Sequence, residues 1–504
     1  MKDKILFWLG ADFTHFCCSY YLQKSHDADF YAIIDITNKP KKFFETQSLV
    51  NFDKTWFFHD HIKKNIKPNL DYLADFEKKY NINLLKLAIN ERIFYRFFDF
   101  HDFSIDEILS IVEQECRLFE KIIDEVKPDF FITKEASRHH HQLFCDLCNS
   151  VGIKVIMMSQ AKIGYKCMLS SVSHKFPFKD LDPSTPPTNR NLSEIREYLK
   201  SFDVSKQLKS YLSKEGGSLS KLLKSGLEFL TSENSNPNEQ YYYYGRSKFR
   251  VLNSFIKSTL NRYFRKSFID KNLLKKIPTD IKFVYFPMAV DMERNLLITA
   301  PYYTNQIEVI RHIVKSLPVD YQLYVKENPN AASRDWRSIH EYREILKIPN
   351  VKLFHPSTNV DTIYQNSSLV IAIAGSSALE AAAYGKPSIV FSDQIYSFLP
   401  SVFRVTNLEE LSDLIHKALQ TKVDSNDVDH YINLLEKNTF NFDILGFSAI
   451  FKEQFYRGGN LLDVYISEEK LKNFLEEQKK PLEIFTLEHI KRINWYKCNA
   501  YNKN

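Results

Sequence analysis

Strands and helices alternate strictly between residues 280 and 424, and this alternation limits the possible fold more than any other feature of the sequence. Predicted strands at 282–286, 321–325, 351–354 and 369–374 are separated by helical patterns. The last of these strands is apolar at every position, which is typical of a parallel strand covered on both faces. The alternation therefore predicts an α/β unit with a doubly wound parallel sheet.

The N-terminal part of the chain shows the same class of pattern less regularly. Mostly apolar strands are predicted at 4–9, 30–36 and 129–133. A helix is predicted from about residue 108 to 126, and the spacing of Ser104 and Glu107 before it is that of a capping box. We interpret this part as a second doubly wound unit.

A length of 504 residues suits two such domains with appendages. We predict an N-terminal Rossmann-like domain at 1–171, a helical or linker insertion at 172–279, a C-terminal Rossmann-like domain at 280–424 and a C-terminal helical segment at 425–504. Open α/β sheets bind ligands at the carboxyl ends of their strands, so the cleft between two such sheets is the expected site.

Composition limits where the protein is expected in the cell and which partners it is expected to bind. The net charge of +6 is spread thinly, and no run of basic residues predicts a nucleic-acid partner. The sequence shows no signal peptide and no apolar stretch of about 18 residues. Seven scattered cysteines are interpreted as reduced thiols. We expect a cytoplasmic protein, with peripheral contact at the inner face of the membrane through a basic amphipathic face within 205–268.

The segment 374–387 is the strongest candidate for binding chemistry. An apolar strand runs into Gly375, and Ser376 and Ser377 suit the N-cap of the following helix. Free amides at such a helix start favour phosphate, and Glu380, one turn later, could accept hydrogen bonds from ribose hydroxyls. An ordinary strand, cap and helix with a surface glutamate is the alternative.

Four motifs surround this segment. They are Tyr285-Phe-Pro-Met288, Ala300-Pro-Tyr-Tyr-Thr-Asn-Gln306, Leu323-Tyr-Val-Lys-Glu-Asn-Pro329 and Val351-Lys-Leu-Phe-His-Pro356. In this order they resemble the capsule and surface polysaccharide biosynthesis proteins, which are glycosyltransferases of the two-domain GT-B fold. Some members transfer 3-deoxy-D-manno-octulosonic acid (Kdo) from its CMP-activated form, and bacterial sialyltransferases share a similar His-Pro and Ser-Ser pair. The resemblance covers residues 280–395.

The resemblance implies transfer of a sugar from a CMP- or UDP-linked donor to a surface polysaccharide or glycolipid acceptor, with inversion. The N-terminal domain would bind the acceptor, an oligosaccharide or lipid-linked glycan, and the C-terminal domain the nucleotide-sugar. No tightly bound cofactor and no metal are expected. The residues expected to contact the donor are Tyr302, Gln306, Lys326, Glu327, Asn328, Pro329, Gly375, Ser376, Ser377 and Glu380.

One position departs from the family pattern. The family has Lys-Glu-His-Pro, whereas this chain has Asn328 in place of the histidine. An asparagine can donate a hydrogen bond but carries no charge and shuttles no proton at neutral pH. Help for the leaving nucleotide is then expected from Lys326 or from His355, which follows the next strand.

Inverting transfer also needs a base for the acceptor hydroxyl. Glu135 follows the predicted strand at 129–133 and is the first candidate, and Asp12, which follows the first strand, is the second. The loop that starts at Met158 resembles a cleft-lining loop of surface-carbohydrate enzymes. For each carboxylate, a solvated loop charge or a helix cap is the alternative interpretation.

His139, His140 and His141 precede Cys145 and Cys148, which raises the possibility of zinc. Both cysteines fall on one predicted helix, and no second ligand pair follows at finger spacing. We therefore interpret the cysteines as core thiols and the histidines as lining the cleft near Glu135.

Two other functions remain open at this point. A nucleotide-sugar 2-epimerase or a glycerophosphotransferase of the teichoic-acid type would have a similar C-terminal domain, and an epimerase would need more acids and histidines in the cleft. A non-catalytic relative in polysaccharide assembly is the third interpretation, and Asn328 is its main support.

Overall fold

The computed structural model describes residues 2–161, 163–173, 188–202, 226–231, 240–329 and 337–501. Much of the basic face predicted within 205–268 lies outside these residues. No helix in the described ranges is both long enough and apolar enough to cross a membrane.

The N-terminal unit is built on a sheet of seven described strands. They are β1 (Asp3–Gly10), β2 (Ala28–Asp35), β3 (Lys54–Phe57), β4 (Phe130–Lys134), β5 (Lys154–Gln160), β6 (Lys166–Ser170) and β13 (Phe440–Asn441). Their order is β13-β6-β5-β4-β1-β2-β3. β1 to β5 pair in parallel, whereas β6 and β13 add an antiparallel edge that the sequence did not predict.

The C-terminal unit has a sheet of six described strands, all paired in parallel. They are β7 (Phe283–Pro287), β8 (Gln322–Lys326), β9 (Val351–Phe354), β10 (Leu369–Ala372), β11 (Ser388–Val390) and β12 (Val402–Arg404). Their order, β12-β11-β10-β7-β8-β9, is that of a doubly wound sheet. The predicted class, α/β with two Rossmann-like units in a GT-B-like architecture, is confirmed.

Helices cover both sheets. In the N-terminal half they are α1 (Thr14–Ser25), α2 (Asn38–Thr46), α3 (Leu70–Tyr80), α4 (Leu84–Ala88), α5 (Ile105–Val126), α6 (His139–Ser150), α7 (Leu192–Ser201) and α8 (Lys248–Asn272). The remainder are α9 (Arg294–Leu297), α10 (Gln306–Ser316), α11 (Ile339–Lys347), α12 (Val360–Asn366), α13 (Ser377–Ala383), α14 (Leu411–Gln420), α15 (Ser425–Lys437), α16 (Ile444–Phe455), α17 (Glu468–Glu477) and α18 (Lys479–Tyr501). The predicted capping box of Ser104 and Glu107 starts α5.

The C-terminal segment returns to the N-terminal unit. β13 pairs with β6, and the rings of Phe442 and Phe485 stack with their centroids 4.5 Å apart. Phe13 of the N-terminal unit stacks on Phe451 of α16 at 4.9 Å. These rings belong to one apolar core with β1 and α1, so the last helices complete the first domain.

A second apolar cluster joins the two units. Ala161 and Ile163, between β5 and β6, share it with Ala378, Leu379 and Ala382 of α13. The start of α13, which holds the predicted donor residues, therefore lies where the two units meet.

We expect Phe485→Ala to lower the free energy of unfolding by about 3–5 kcal/mol, because it removes a fully buried ring and leaves a cavity. Leu487 lies on the same helix and is exposed, so Leu487→Ala is the matched control and should change stability by less than about 0.5 kcal/mol. Urea unfolding of both variants measures the difference. Equal effects would contradict the packing of α18 into the first domain.

Candidate functional site

The loop after β10 adopts the positive backbone φ that Gly375 permits. Gly375 has a φ of 109°, and a Cβ atom placed there would meet nothing within 4 Å. Ser376 occupies the N-cap position of α13 but makes no capping bond, which corrects that part of the prediction. Its hydroxyl donates instead to Oε1 of Glu380 at 2.6 Å. The first amides of α13 are left without a side-chain cap.

Glu380 is held in place by hydroxyl groups. Tyr364 donates to its Oε2 at 3.0 Å, and Tyr396 donates to the carbonyl oxygen of Gly375. Burial, followed by the nearby Glu380 charge, raises the pKa of both tyrosines, so both remain donors. The Glu380 carboxylate is half-buried and held in a fixed orientation beside the Gly375 loop. A group in this position can accept hydrogen bonds from a ligand.

Lys326 lies at the carboxyl end of β8, in the field of Glu380. The residue is 3% exposed, and no hydrogen bond or ion pair to its ammonium group occurs within the described part of the chain. Burial lowers its pKa from 10.5 to about 8, against the opposing field of Glu380. A buried ammonium group of this kind has its full hydrogen-bonding capacity available to an anion.

Two other predicted donor residues take part in internal contacts. Glu327 is buried, and its Oε2 lies 3.1 Å from Nε of Arg337, which also binds Asp291 at 2.7 Å. Gln306 donates to Asp291 at 2.6 Å. Burial raises the pKa of Glu327, and Arg337 opposes that rise. This network connects the loops after β7 and β8, and so it supports the position of Lys326.

The remaining predicted donor residues lie nearer the surface. The backbone amide of Asn328 contacts the Glu327 carboxylate, and Pro329 follows it in the loop. Tyr302 is 78% exposed. Ser377 is half-buried at the first position of α13.

His355 lies at the end of β9, an edge strand. Its ring nitrogens contact Asp270 at 2.9 Å and Ser357 at 2.6 Å. β7 and β8 separate β9 from β10, which corresponds to about 14 Å at ordinary strand spacing. The structure therefore brings Lys326 and Glu380 near each other but places His355 apart from Gly375.

The two predicted bases lie at the carboxyl ends of adjacent strands in the N-terminal sheet. Asp12, after β1, forms an ion pair with Lys134, the last residue of β4. Burial acts to raise the pKa of Asp12, but the Lys134 charge prevails and lowers it. A carboxylate with a lowered pKa is a weak base.

Glu135 takes part in the contact between the units. Its Oε1 lies 3.4 Å from the guanidinium group of Arg294, which belongs to the C-terminal unit. The same guanidinium donates to the carbonyl oxygen of Ala136 at 2.7 Å. Sequence reasoning identified neither Arg294 nor Lys134, because no local pattern shows which distant charge an acid will meet.

The histidine interpretation needs a correction. His139, His140 and His141 are buried inside the N-terminal unit and do not line the cleft. Cys145 and Cys148 are buried on α6 as predicted, and burial raises the pKa of both thiols.

A cavity of about 190 Å³ also lies between the units. Its lining includes Asp146 and Ser171 from one unit and Thr299 and Arg404 from the other, and none of residues 375–380. The candidate donor residues therefore lie outside this cavity.

Comparisons with known proteins give a resemblance in architecture only. No family model matches the chain, and no curated protein matches it. The chain is similar to the UDP-GlcNAc 2-epimerase of Methanocaldococcus jannaschii, solved with UDP-GlcNAc and UDP, at 12% identity and a TM-score of 0.26, over 85% of this chain and 98% of that one.

Two further solved structures are similar to the same degree. The β-Kdo 2,7-transferase KpsC of Thermosulfurimonas dismutans is 13% identical with a TM-score of 0.30, over 63% of this chain and 79% of that one. The UDP-GlcNAc 2-epimerase of Neisseria meningitidis, bound to UDP-GlcNAc, is 14% identical with a TM-score of 0.22, over 86% and 100%. The fold assignment rests on the strand order of the two sheets, independently of these likenesses.

We expect Lys326→Met to stabilise the free chain at pH 7, by up to about 3 kcal/mol, because it removes a desolvated charge. In the wild type this penalty is complete below pH 8 and fades as the pH rises towards 10.5, where the unfolded chain also loses the proton. The gain should therefore shrink between pH 7 and about pH 9.5 in urea unfolding. Lys352→Met, an exposed lysine on β9, is the control, and a gain independent of pH would contradict the burial of the charge.

Proposed function

We propose that this chain is a glycosyltransferase that moves a sugar from a CMP- or UDP-linked donor to a surface polysaccharide or glycolipid acceptor. The observation that carries the proposal is Lys326, a lysine that is 3% exposed, forms no ion pair within the described residues and lies in the field of Glu380, with its pKa lowered by burial. A phosphate of the donor is the anion that would compensate this charge.

The surrounding geometry suits a nucleotide-sugar. The positive φ of Gly375 and the open space beside it allow a ligand to approach the backbone closely. The Glu380 carboxylate, oriented by Ser376 and Tyr364, would accept hydrogen bonds from the ribose. Ser377 follows with an uncapped backbone amide.

The proposed reaction uses these groups as follows. The acceptor hydroxyl attacks the anomeric carbon, and the bond from that carbon to the nucleotide phosphate breaks. Negative charge then develops on the departing phosphate. Lys326 stabilises this charge, and its effect is large because the side chain is shielded from water. Lys326 would then help the departing nucleotide without the histidine that the resembling family has at the position of Asn328.

Glu135 is our candidate for the base that takes the proton from the acceptor. It lies at the carboxyl end of β4 and at the contact between the units, and it is only partly covered by Arg294. Asp12 is the weaker candidate, because Lys134 lowers its pKa. His355 is bound to Asp270 at the sheet edge and has no role in this scheme.

Calorimetric titration with CMP and with UDP tests the donor site. We expect one of the two to bind, and Lys326→Met to weaken its binding about ten- to a hundredfold, the range for a hydrogen bond to a charged group. Lys352→Met should bind like the wild type. Binding of neither nucleotide by the folded wild type would overturn the proposal.

A second arm separates transfer from the competing reactions. Incubation with UDP-N-acetylglucosamine and no acceptor should leave the sugar unchanged. Formation of the 2-epimer would assign the same site to epimerisation. Nucleotide binding together with unchanged polysaccharide in cells that carry Glu380→Ala would assign the chain to a non-catalytic role.

We further propose that the protein acts at the cytoplasmic face of the membrane, where a lipid-linked acceptor would lie. α8 supports this contact, because of its 25 residues only Ile269 is buried. Apolar residues that include Phe249, Ile256 and Leu260 are exposed on it, and it carries seven lysines and arginines against one aspartate. An exposed apolar stripe with basic flanks is typical of helices that lie on anionic lipid.

Sedimentation with lipid vesicles tests this contact. The wild type should bind vesicles that contain phosphatidylglycerol, bind pure phosphatidylcholine at least tenfold less, and dissociate as salt rises. The double variant Phe249→Glu/Ile256→Glu should lose binding, whereas Leu487→Glu, on an exposed position of α18, should retain it. Equal binding of the two variants would exclude α8 as the contact.

A further inference from the structure

A cluster of buried polar side chains lies inside the N-terminal unit, and the proposed transfer reaction does not use it. Glu115 belongs to α5, and His139 and His140 begin α6. One potential ligand atom of each lies within 4.8 Å of the other two. All three side chains are buried, and Glu115 is 0% exposed.

Three distances within the cluster are close to those between the ligands of a tetrahedral metal ion. Oε1 of Glu115 lies 3.1 Å from Nε2 of His139 and 3.3 Å from the hydroxyl of Tyr241. That hydroxyl lies 3.4 Å from Nδ1 of His140. Zinc, at about 2.0–2.2 Å from nitrogen and oxygen ligands, separates them by about 3.3–3.6 Å along the edges of a tetrahedron.

The outer nitrogen of each histidine contacts a carboxylate. Nδ1 of His139 lies 3.0 Å from Glu91, and Nε2 of His140 lies 3.1 Å from Asp35. Metal-binding imidazoles are commonly oriented in this way, because the carboxylate accepts the proton of the nitrogen that does not face the metal. Both inner nitrogens are then directed at the same space, next to Glu115.

Among the described residues, Glu115 forms an ion pair with His139 and with no lysine or arginine. Nε2 of His139 lies 3.1 Å from both oxygens of Glu115, and its Nδ1 contacts Glu91, so a single imidazole lies between two buried carboxylates. Oε2 of Glu115 is fully buried and accepts no hydrogen bond there, so it has capacity left for a cation.

We propose that Glu115, His139 and His140 bind one zinc ion, with the hydroxyl of Tyr241 at the fourth corner. Two imidazoles and one carboxylate as ligands favour zinc among the common divalent metals. Cys145 and Cys148 take no part, because their buried thiols lie in the apolar core. The site uses the histidines of the original zinc interpretation with a different set of partners.

The site gives a role to the run of tyrosines at 241–244. Tyr241 forms a single 3₁₀ turn with the two residues after it, and Tyr242 also contacts His140, at 3.3 Å. The zinc ion would therefore connect α5, α6 and this turn, which precedes α8. Because the site is closed on all sides by protein, its role is structural.

Zinc binding to the full chain tests the inference directly. Wild-type protein, stripped with a chelator and then dialysed against buffered zinc chloride, should retain one zinc per chain by elemental analysis. Its melting temperature should rise with the free zinc concentration. Cobalt substitution should give the intense visible bands of a tetrahedral site. The assay is independent of nucleotide binding, so it stands whether or not the proposed function holds.

Matched variants locate the ion. Glu115→Gln and His140→Gln should bind zinc at least tenfold more weakly, whereas Glu113→Gln, on the same helix, and His141→Gln, the buried neighbour, should bind like the wild type. If Glu115→Gln fails to fold, Glu91→Gln takes its place as the test. Because Glu91 orients His139, this variant should bind zinc ten- to a hundredfold more weakly. Absence of zinc from the wild type, or equal zinc binding by Glu113→Gln and Glu115→Gln, would overturn the inference. The cluster would then be a protonated His139 between the carboxylates of Glu91 and Glu115.

Discussion

Parallel pairing brings the carboxyl ends of neighbouring strands to one edge of a sheet, and the candidate donor and base residues owe their positions to this constraint. Asp12 and Glu135 follow β1 and β4, which are adjacent in the first sheet. In the second sheet, Lys326 ends β8 and Gly375 follows β10. The two edges come together because α13 packs its small apolar face against the loop between β5 and β6.

Charge is distributed unequally between these two edges. In the N-terminal sheet each candidate carboxylate has a cation, since Asp12 meets Lys134 and Glu135 meets Arg294. In the C-terminal sheet Lys326 is buried without an ion pair in the described residues, and the field of Glu380 opposes its desolvation only in part. The desolvation of that charge reduces the stability of the free chain, and binding of an anion would restore it. This difference supports the second sheet as the donor side.

Residue type and spacing along the chain predicted the strands, helices and caps that depend on neighbouring residues. The apolar strand before Gly375, the capping box of α5 and the alternation of the second sheet follow from residue type and spacing. β13 is two residues long, and its pairing with β6 closes a loop of more than 250 residues, so no window of sequence reveals it. From its position in the sequence, the hydroxyl of Ser376 could equally well cap the helix. In the structure it donates to Glu380 instead, because the carboxylate lies within hydrogen-bond distance.

The same limit explains why the buried histidines were misplaced. Their spacing along α6 relates them to Cys145 and Cys148, whereas their contacts come from α5, from the end of β2 and from a turn a hundred residues later. The resulting cluster is the converse of the Lys326 site. The first holds buried carboxylates and imidazoles that Tyr241 closes off, which suits a resident cation. The other holds a buried cation beside an open loop, which suits an anion that must enter and leave.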